Sequence, residues 1–255
     1  GTSHYLGTSF SHAQNIRYQS DSGELEFCHT SSWGVSTRLI GGVIMTHGDD
    51  DGLRLPPAIA PRQIVVVPML RGKPEDAEVL AFAEGLVKAL HEKVALGEPI
   101  RALLDTKDQK SSDKRWNWVR RGAPIIVELG PRDAASGQVT FMRRDNLRDG
   151  DKVQSQAMSR DEFVDAAPGL LAAIQQTLFE EAKARLDANI RADLTTFDQV
   201  AEYFGKVSDE EEEASAFKGW VRASWSRPTG EALDAVEQRL KAFKLTLRNA
   251  PMNQP

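Results

Sequence analysis

The sequence predicts an α/β protein built around a mixed sheet covered by helices, and three observations carry that expectation. Between residues 62 and 190, strand-length apolar runs alternate with runs of helical spacing, in the order strand, helix, strand, helix, three strands, helix. The first of these runs, 64–67, is an unbroken β-branched stretch, as in a strand buried on both faces. Ahead of it, residues 1–60 read as short strands joined by turns.

Taken in order, residues 24–28 alternate polar and apolar as a half-buried strand does, and the turn at 20–23 suits a hairpin. Residues 30–33 read as a strand that passes into a buried helix over 35–45, with Leu39, Ile40, Val43 and Ile44 at helical spacing and Arg38 near its start. The stretch 48–61 is rich in Asp, Gly and Pro, which predicts an ordered loop and then a linker stiffened by Pro56, Pro57 and Pro61. After the strand at 64–67, Val79, Leu80, Ala83, Leu86, Val87 and Leu90 line one face of a helix over 75–94, which Pro74 opens and Gly97 follows. A strand at 100–104 and a short helix at 114–121, ended by Gly122, come next. Strands at 125–129, 138–143 and 153–158 bring the count to five. Ser159 and Glu162 form a capping box for a long helix with Phe163, Ala167, Leu170, Ile174, Leu178, Ala182 and Leu186 along one stripe. Residues 191–255 read as a smaller α/β unit: a helix at 197–204, an acidic loop at 209–213, a strand at 220–225, a helix at 231–243 with Leu233, Val236, Leu240 and Phe243 inward, and a last strand at 245–247. The predicted domains are therefore 1–60, 61–190 and 191–255.

Composition narrows the function classes. With 40% hydrophobic and 27% charged residues, the 255-residue chain is ordinary for a globular protein. It holds no apolar run long enough to span a bilayer and no signal segment, so no membrane partner is expected. One cysteine, Cys28, excludes an internal disulfide and a zinc site of several thiolates, and fits a reducing cytoplasm. The net charge of −5 is repulsive to nucleic acid, so any phosphate contact needs a local basic patch. The chain opens on Gly1, inside what reads as a motif, which predicts a piece of a longer protein.

Four clusters carry candidate chemistry. Thr2 and His4 fall on one side of a strand, where they suit a small polar ligand; a satisfied hydrogen-bond pair at a strand end gives the same pattern. In the segment 32–38, Gly34 admits a ligand close to the backbone, and Ser36 and Arg38 share a face if the chain is extended. Arginine suits a phosphate or a purine face, and its place before an apolar helix implies a missing partner, either a ligand or a carboxylate such as Asp49. Between 107 and 121, six Lys or Arg residues (Lys107, Lys110, Lys114, Arg115, Arg120, Arg121) face two Asp, with Trp116 and Trp118 interleaved. That mixture suits RNA phosphates and bases, although a solvated amphipathic helix with Trp118 in the core reads the same way. Finally, the strand that ends at Gly130 and Pro131 leaves Arg132 and Asp133 at a sheet edge, where carboxylate and guanidinium suit the donors and acceptors of guanine; a turn with an exposed ion pair is the plain alternative. His47 orders its own loop on this reading.

In this order the segments ThrSerHisTyrLeuGly (2–7), SerTrpGlyValSerThrArgLeuIleGly (32–41), HisGlyAspAspAspGlyLeuArgLeuProPro (47–57) and GlyAlaProIleIleValGluLeuGlyProArgAsp (122–133) resemble the class II prolyl-tRNA synthetases, in the form typical of archaea, eukaryotes and some bacteria. The resemblance covers essentially the whole chain. It implies the C-terminal part of the antiparallel catalytic sheet with motif 3, then a mixed five-stranded anticodon-binding domain, then a small C-terminal domain. It implies that Thr2, Ser36 and Arg38 hold ATP, with Arg38 catalytic, and that His4, Trp33 and Gly34 border proline. Arg132 and Asp133 match positions that read the two guanines of a proline anticodon, with Arg115 and Arg148 near the same bases. Val119 and Ile126 stand where some relatives carry charge. The implied partners are proline, ATP, proline tRNA and a second copy in the complete protein, with Mg²⁺ ligands outside this chain. No metal is expected in the last domain, where Ser226 and Thr229 stand near the family's zinc cysteines, and the chain ends Asn253, Gln254, Pro255 where the family usually ends in tyrosine. Motifs 1 and 2 are absent, so this chain alone is expected to be inactive. A non-catalytic tRNA-binding module is the alternative, but such a module has no need for Ser36 and Arg38. A regulatory domain that binds a nucleotide or amino acid leaves the 107–121 basic cluster unexplained.

Overall fold

Apolar residues two apart and three to four apart decide where strands and helices meet. The computed structural model describes residues 2–205, 219–224 and 228–246. The expected acidic run at 209–213, together with Trp225, Ser226, Leu247 and the last residues 253–255, lies outside them. By contact the chain divides into two compact units, 1–179 and 180–255.

The first unit begins with β1 (Thr2–Gly7), α1 (Ser9–Gln14), β2 (Arg17–Gln19), β3 (Leu25–Phe27), β4 (Thr30–Gly34) and α2 (Arg38–His47). β2 and β3 form the expected hairpin, closed by the Gly23 N–H donating to the Ser20 carbonyl at 2.8 Å. β1 and β4 pair antiparallel. The helix predicted over 35–45 is present but is not buried. Leu39, Ile40 and Ile44 are each more than half exposed, because nothing among the described residues packs over that face. The expectation of a buried, partner-seeking Arg38 fails with it: Arg38 is exposed and forms no pair with Asp49, which is claimed by Arg144.

The main sheet has the order β13–β10–β9–β5–β8, built from β5 (Ile64–Pro68), β8 (Ala102–Leu104), β9 (Ile125–Leu129), β10 (Gln138–Arg143) and β13 (Gln156–Ser159). β5 runs parallel to β8 and β9, while β10 is antiparallel to β9 and β13, so the sheet is mixed, as predicted. Side chains alternate between its faces. Ile64, Val66, Ile125, Val127 and Phe141 pack with α3 (Asp76–His91) and α6 (Arg160–Ala188). Val65, Val67, Ile126 and Met142 pack on the other face with Val119 of α4 (Ser111–Arg120). Val119 and Ile126, positions of charge in some relatives, are thus core residues on the α4 side. Ser159 and Glu162 cap α6 reciprocally, as expected: the Ser159 N–H donates to Glu162 Oε2 at 3.0 Å and the Glu162 N–H to Ser159 Oγ at 3.3 Å.

Two expectations change. The strand placed at 153–158 is two elements, a small hairpin of β11 (Arg148–Asp149) and β12 (Lys152–Val153), then β13. A second small hairpin, β6 (Val94–Ala95) with β7 (Glu98–Pro99), follows α3. And the edge turn at 130–133 is the start of a short helix, α5 (Pro131–Ser136): Gly130 is its N-cap, Pro131 its first residue, and Gly137, at φ 67°, ends it in the left-handed region.

The predicted linker is fastened down rather than free. The Leu53 N–H donates to the Arg120 carbonyl (3.0 Å) and the Leu55 N–H to the Gly122 carbonyl (3.1 Å). Arg101 donates to the carbonyls of Pro57, Ala58 and Ala60. Gly122 permits this approach: at φ 76°, a Cβ there would lie 2.6 Å from the Leu53 carbonyl oxygen.

In the second unit, β14 (Ile190–Arg191) pairs parallel with β15 (Trp220–Val221), and α7 (Phe197–Gly205) and α8 (Glu231–Ala242) carry the remaining described structure. The strand expected over 220–225 is therefore confined to its first two residues among those described. Arg239 joins the two helices, donating to Asp198 at 2.6 Å with its guanidinium 4.1 Å from the Phe197 ring centre. Among the described residues, no helix is long and apolar enough to cross a membrane.

Candidate functional site

Two surfaces of the first unit carry the candidate residues. On the β1–β4 pair, Thr2 lies opposite Gly34 and His4 opposite Ser32, while Trp33 lies opposite Ser3. Directly opposed residues share a face and successive residues alternate. Thr2, His4 and Gly34 therefore belong to one face and Trp33 to the other, which separates Trp33 from the two residues it was grouped with. Gly34 has a local reason: a Cβ there would come within 3.1 Å of Thr2 Oγ1. Ser36 initiates α2 by accepting the Leu39 N–H at 3.2 Å through its carbonyl, and Arg38 is the first residue of the helix. All six of these residues are solvent-exposed, so they form an open surface rather than an enclosed pocket.

The second surface gathers at α4, the β9–β10 edge and the β11 hairpin. The Arg115 guanidinium donates to the Glu128 carboxylate at 3.2 Å and stands 5.3 Å from the Trp116 ring centre. Arg148 also stands 5.3 Å from the same ring, so Trp116 neighbours both of the arginines that the family resemblance sets near the same bases. Glu128 pairs in register with Thr140, whose hydroxyl donates to Asp133 Oδ1 at 3.2 Å. Asp133 Oδ2 accepts the Gly130 N–H at 2.9 Å, so this carboxylate caps α5. Each of its oxygens retains a lone pair for a further donor. Arg132 is exposed on α5 and makes no side-chain bond among the described residues.

The basic cluster is only partly a surface. Lys114 is buried and donates to the Asp105 carbonyl at 3.0 Å, and the Trp118 indole N–H donates to Asp105 Oδ2 at 2.7 Å. Trp118 is half-buried and packs against the α4-side cluster, which is part-way to the core placement expected for it, and the burial of Lys114 removes it from the phosphate-facing set. Burial of Lys114 satisfies a carbonyl at the end of β8, a requirement invisible in a run of charges.

Sequence reasoning missed what binds α4 and β11 to the chain before them. Arg144, 1% exposed at its side chain, grips both oxygens of Asp49 and donates to the Val119 carbonyl at 3.1 Å. Arg148 grips both oxygens of Asp51 at 2.6 and 2.8 Å. Burial raises the Asp49 pKa, but the Arg144 hydrogen bond and charge, the Asp51 N–H and the Arg54 charge outweigh it, and the carboxyl sits below its ordinary range. The Arg148 hydrogen bond lowers Asp51 in the same way. The available signal was the run Asp49, Asp50, Asp51 directly after an apolar helix, set against Arg143, Arg144 and Arg148. Asp49, Asp50, Asp51, Gly52, Trp116, Arg120 and Arg148 line a cleft of about 630 Å³.

Residues 63–169 match the anticodon binding domain family. Along 98% of its length the chain is 52% identical to a proline--tRNA ligase of Sphingomonas elodea, covering 48% of that protein. It is 39% identical to the corresponding ligase of Bdellovibrio bacteriovorus along 100% of its length, covering 48% of that one. The chain matches the C-terminal part of prolyl-tRNA synthetases. Among solved structures, the prolyl-tRNA synthetase of Cryptosporidium parvum, complexed with halofuginone and AMPPNP, superposes with a TM-score of 0.68 at 26% identity, over 94% of this chain and 44% of that one. The chain spans about half the length of the prolyl-tRNA synthetases it matches. The mixed five-stranded sheet is the part of the fold that the anticodon binding domain match covers.

Proposed function

We propose that this chain works as part of a proline--tRNA ligase, contributing one wall of the aminoacyl-adenylate site and the anticodon-reading surface. Its identity to proline--tRNA ligases along nearly its whole length carries that reading. In the reaction, a proline carboxylate oxygen attacks the α-phosphorus of ATP and pyrophosphate leaves; a ribose hydroxyl of the tRNA then attacks the prolyl carbonyl and AMP leaves. Positioning and electrostatic stabilisation drive such a reaction. Thr2 and Ser36 offer hydroxyls to ATP, and Arg38 a permanent charge and a planar face to its phosphates and purine. His4 and Gly34 border proline on the Thr2 face. Trp33, on the opposite face, closes the proline wall only if the complete protein turns that face inward. Mg²⁺ accompanies ATP in this reading, but among the described residues no cluster of His, Cys, Asp or Glu is placed to hold a metal ion. No step is therefore assigned to a metal held by this chain. The reading includes a homodimer and a cytoplasmic location for the complete protein.

Arg132, Asp133, Arg115 and Arg148 present two guanidinium-bearing patches around Trp116 and α5, a setting suited to splayed guanines. The deciding experiment gives the complete protein proline, ATP and labelled pyrophosphate, then proline tRNA. Proline-dependent exchange and prolyl-tRNA formation are expected. Tight binding of the tRNA with no exchange would favour the non-catalytic module instead.

A further inference from the structure

The Arg148 guanidinium is largely engaged within the chain. Its Nε and one terminal nitrogen meet the two oxygens of Asp51 at 2.6 and 2.8 Å, and the other terminal nitrogen donates to the Asp151 carbonyl at 3.3 Å. Its guanidinium carbon stands 5.3 Å from the Trp116 ring centre. Arginine takes a phosphate or a guanine through a hydrogen-bonding edge, and here the edge formed by Nε and one terminal nitrogen is taken by Asp51. A carboxylate held by two guanidinium N–H groups copies the way a phosphate is held.

The two ion pairs of the 49–52 loop differ in permanence. Arg144, 1% exposed at its side chain, also bonds the Val119 carbonyl, and losing Asp49 would leave a buried charge unpaired. The Arg148 and Asp51 side chains are 36% and 23% exposed, and pairs of that kind exchange at little cost. Asp49 and Gly52, bridged to each other, anchor the loop on either side of Asp51. The Asp51 carboxylate is thereby kept beside Arg148 at high effective concentration after any release. The cleft of about 630 Å³ that opens here is of a size that takes a nucleotide.

Resting on the tRNA reading given above, we propose that Asp51 is an intramolecular competitor for RNA at Arg148: its carboxylate fills the place of an RNA phosphate and is displaced when a nucleotide enters beside Trp116. The chain thus carries a gated rather than an open cation at this point of the anticodon surface.

The test uses the complete protein and an in vitro transcribed proline tRNA, with Asp51→Asn, Asp51→Glu, Arg148→Ala and the Asp51→Asn/Arg148→Ala double variant. Asp51→Asn is expected to lower the KM for tRNA about two- to fivefold, the size of an exposed pair, with kcat and proline-dependent pyrophosphate exchange unchanged. Asp51→Glu, which keeps the anion, should stay near the native KM, and the gain should vanish in the double variant. A KM that rises or holds in Asp51→Asn, while Arg148→Ala raises it, overturns the competitor and leaves Asp51 as a support for Arg148. If Arg148→Ala leaves the KM for tRNA unchanged, the assignment of Arg148 to RNA fails, and the gate fails with it.

Discussion

Arg38 stands exposed at the head of α2, without a carboxylate partner among the described residues, so removing its side chain leaves no buried group unsatisfied. In the complete protein, Arg38→Ala is therefore expected to abolish proline-dependent ATP–pyrophosphate exchange while leaving the melting temperature within a degree or two of the native value, since surface substitutions cost within about 0.5 kcal/mol. Near-normal exchange would remove Arg38 from ATP. Asp133 is different, because it already caps α5 and holds Thr140. Asp133→Ala is expected to weaken charging of proline tRNA, leave pyrophosphate exchange intact, and destabilise the protein by about 1 kcal/mol through the lost cap. Denaturant titration beside both assays separates the effects; equal loss in the two assays would make the residue purely structural. At this scale the sequence showed which residues carry polar chemistry, but not which of them spend that chemistry internally. Lys114 and Arg115 are neighbours in one basic run, yet the first is buried on the Asp105 carbonyl and the second makes a half-buried pair with Glu128.

Elements were legible wherever periodicity was undiluted. β5, β9 and β10 sit where the sequence placed them: β5 and β9 are short apolar runs, as strands buried on both faces are, and β10 mixes polar and apolar residues over a strand's length. The turn at 130–133 was misread because α5 is only 6 residues long, too short to show a helical stripe. The buried face expected for α2 was misread for another reason: spacing reports that a helix has an apolar face, not what covers it. The junction of the 53–55 segment with Gly122 gives a prediction at this scale. Gly122→Ala combines a positive φ with a 2.6 Å approach to the Leu53 carbonyl oxygen. It is expected to cost about 2 kcal/mol or more, read as a lowered urea midpoint. A stability within error of native would show that the 53–55 segment can lift away freely.

For the first unit as a whole, the Asp49–Arg144 pair ties the segment after α2 to the α4 side of the sheet. Asp49→Ala is expected to destabilise the protein by about 2 kcal/mol, less than for a fully buried pair because the Asp49 side chain is 38% exposed. The pH dependence has a definite sign. The folded pKa of Asp49 lies below its ordinary value, so its stabilisation is present above about pH 4 and is lost as the pH falls through the folded pKa. Stability measured against pH should therefore show native protein and Asp49→Asn converging in acid and separating toward neutrality. A constant gap across that range would mean that the pair contributes through shape alone.

The sequence by itself determined the α/β class, the five sheet strands, the long capped helix and the family resemblance, because each is written in local spacing or in contiguous motifs. Tertiary structure alone decided that Trp33 lies on the opposite face from Thr2 and His4, that the stiff linker is clasped, and that Arg148 is occupied by Asp51. Those outcomes depend on strand register and on ion pairs between residues almost a hundred positions apart. A charge in a sequence carries no record of the partner that folding will bring to it.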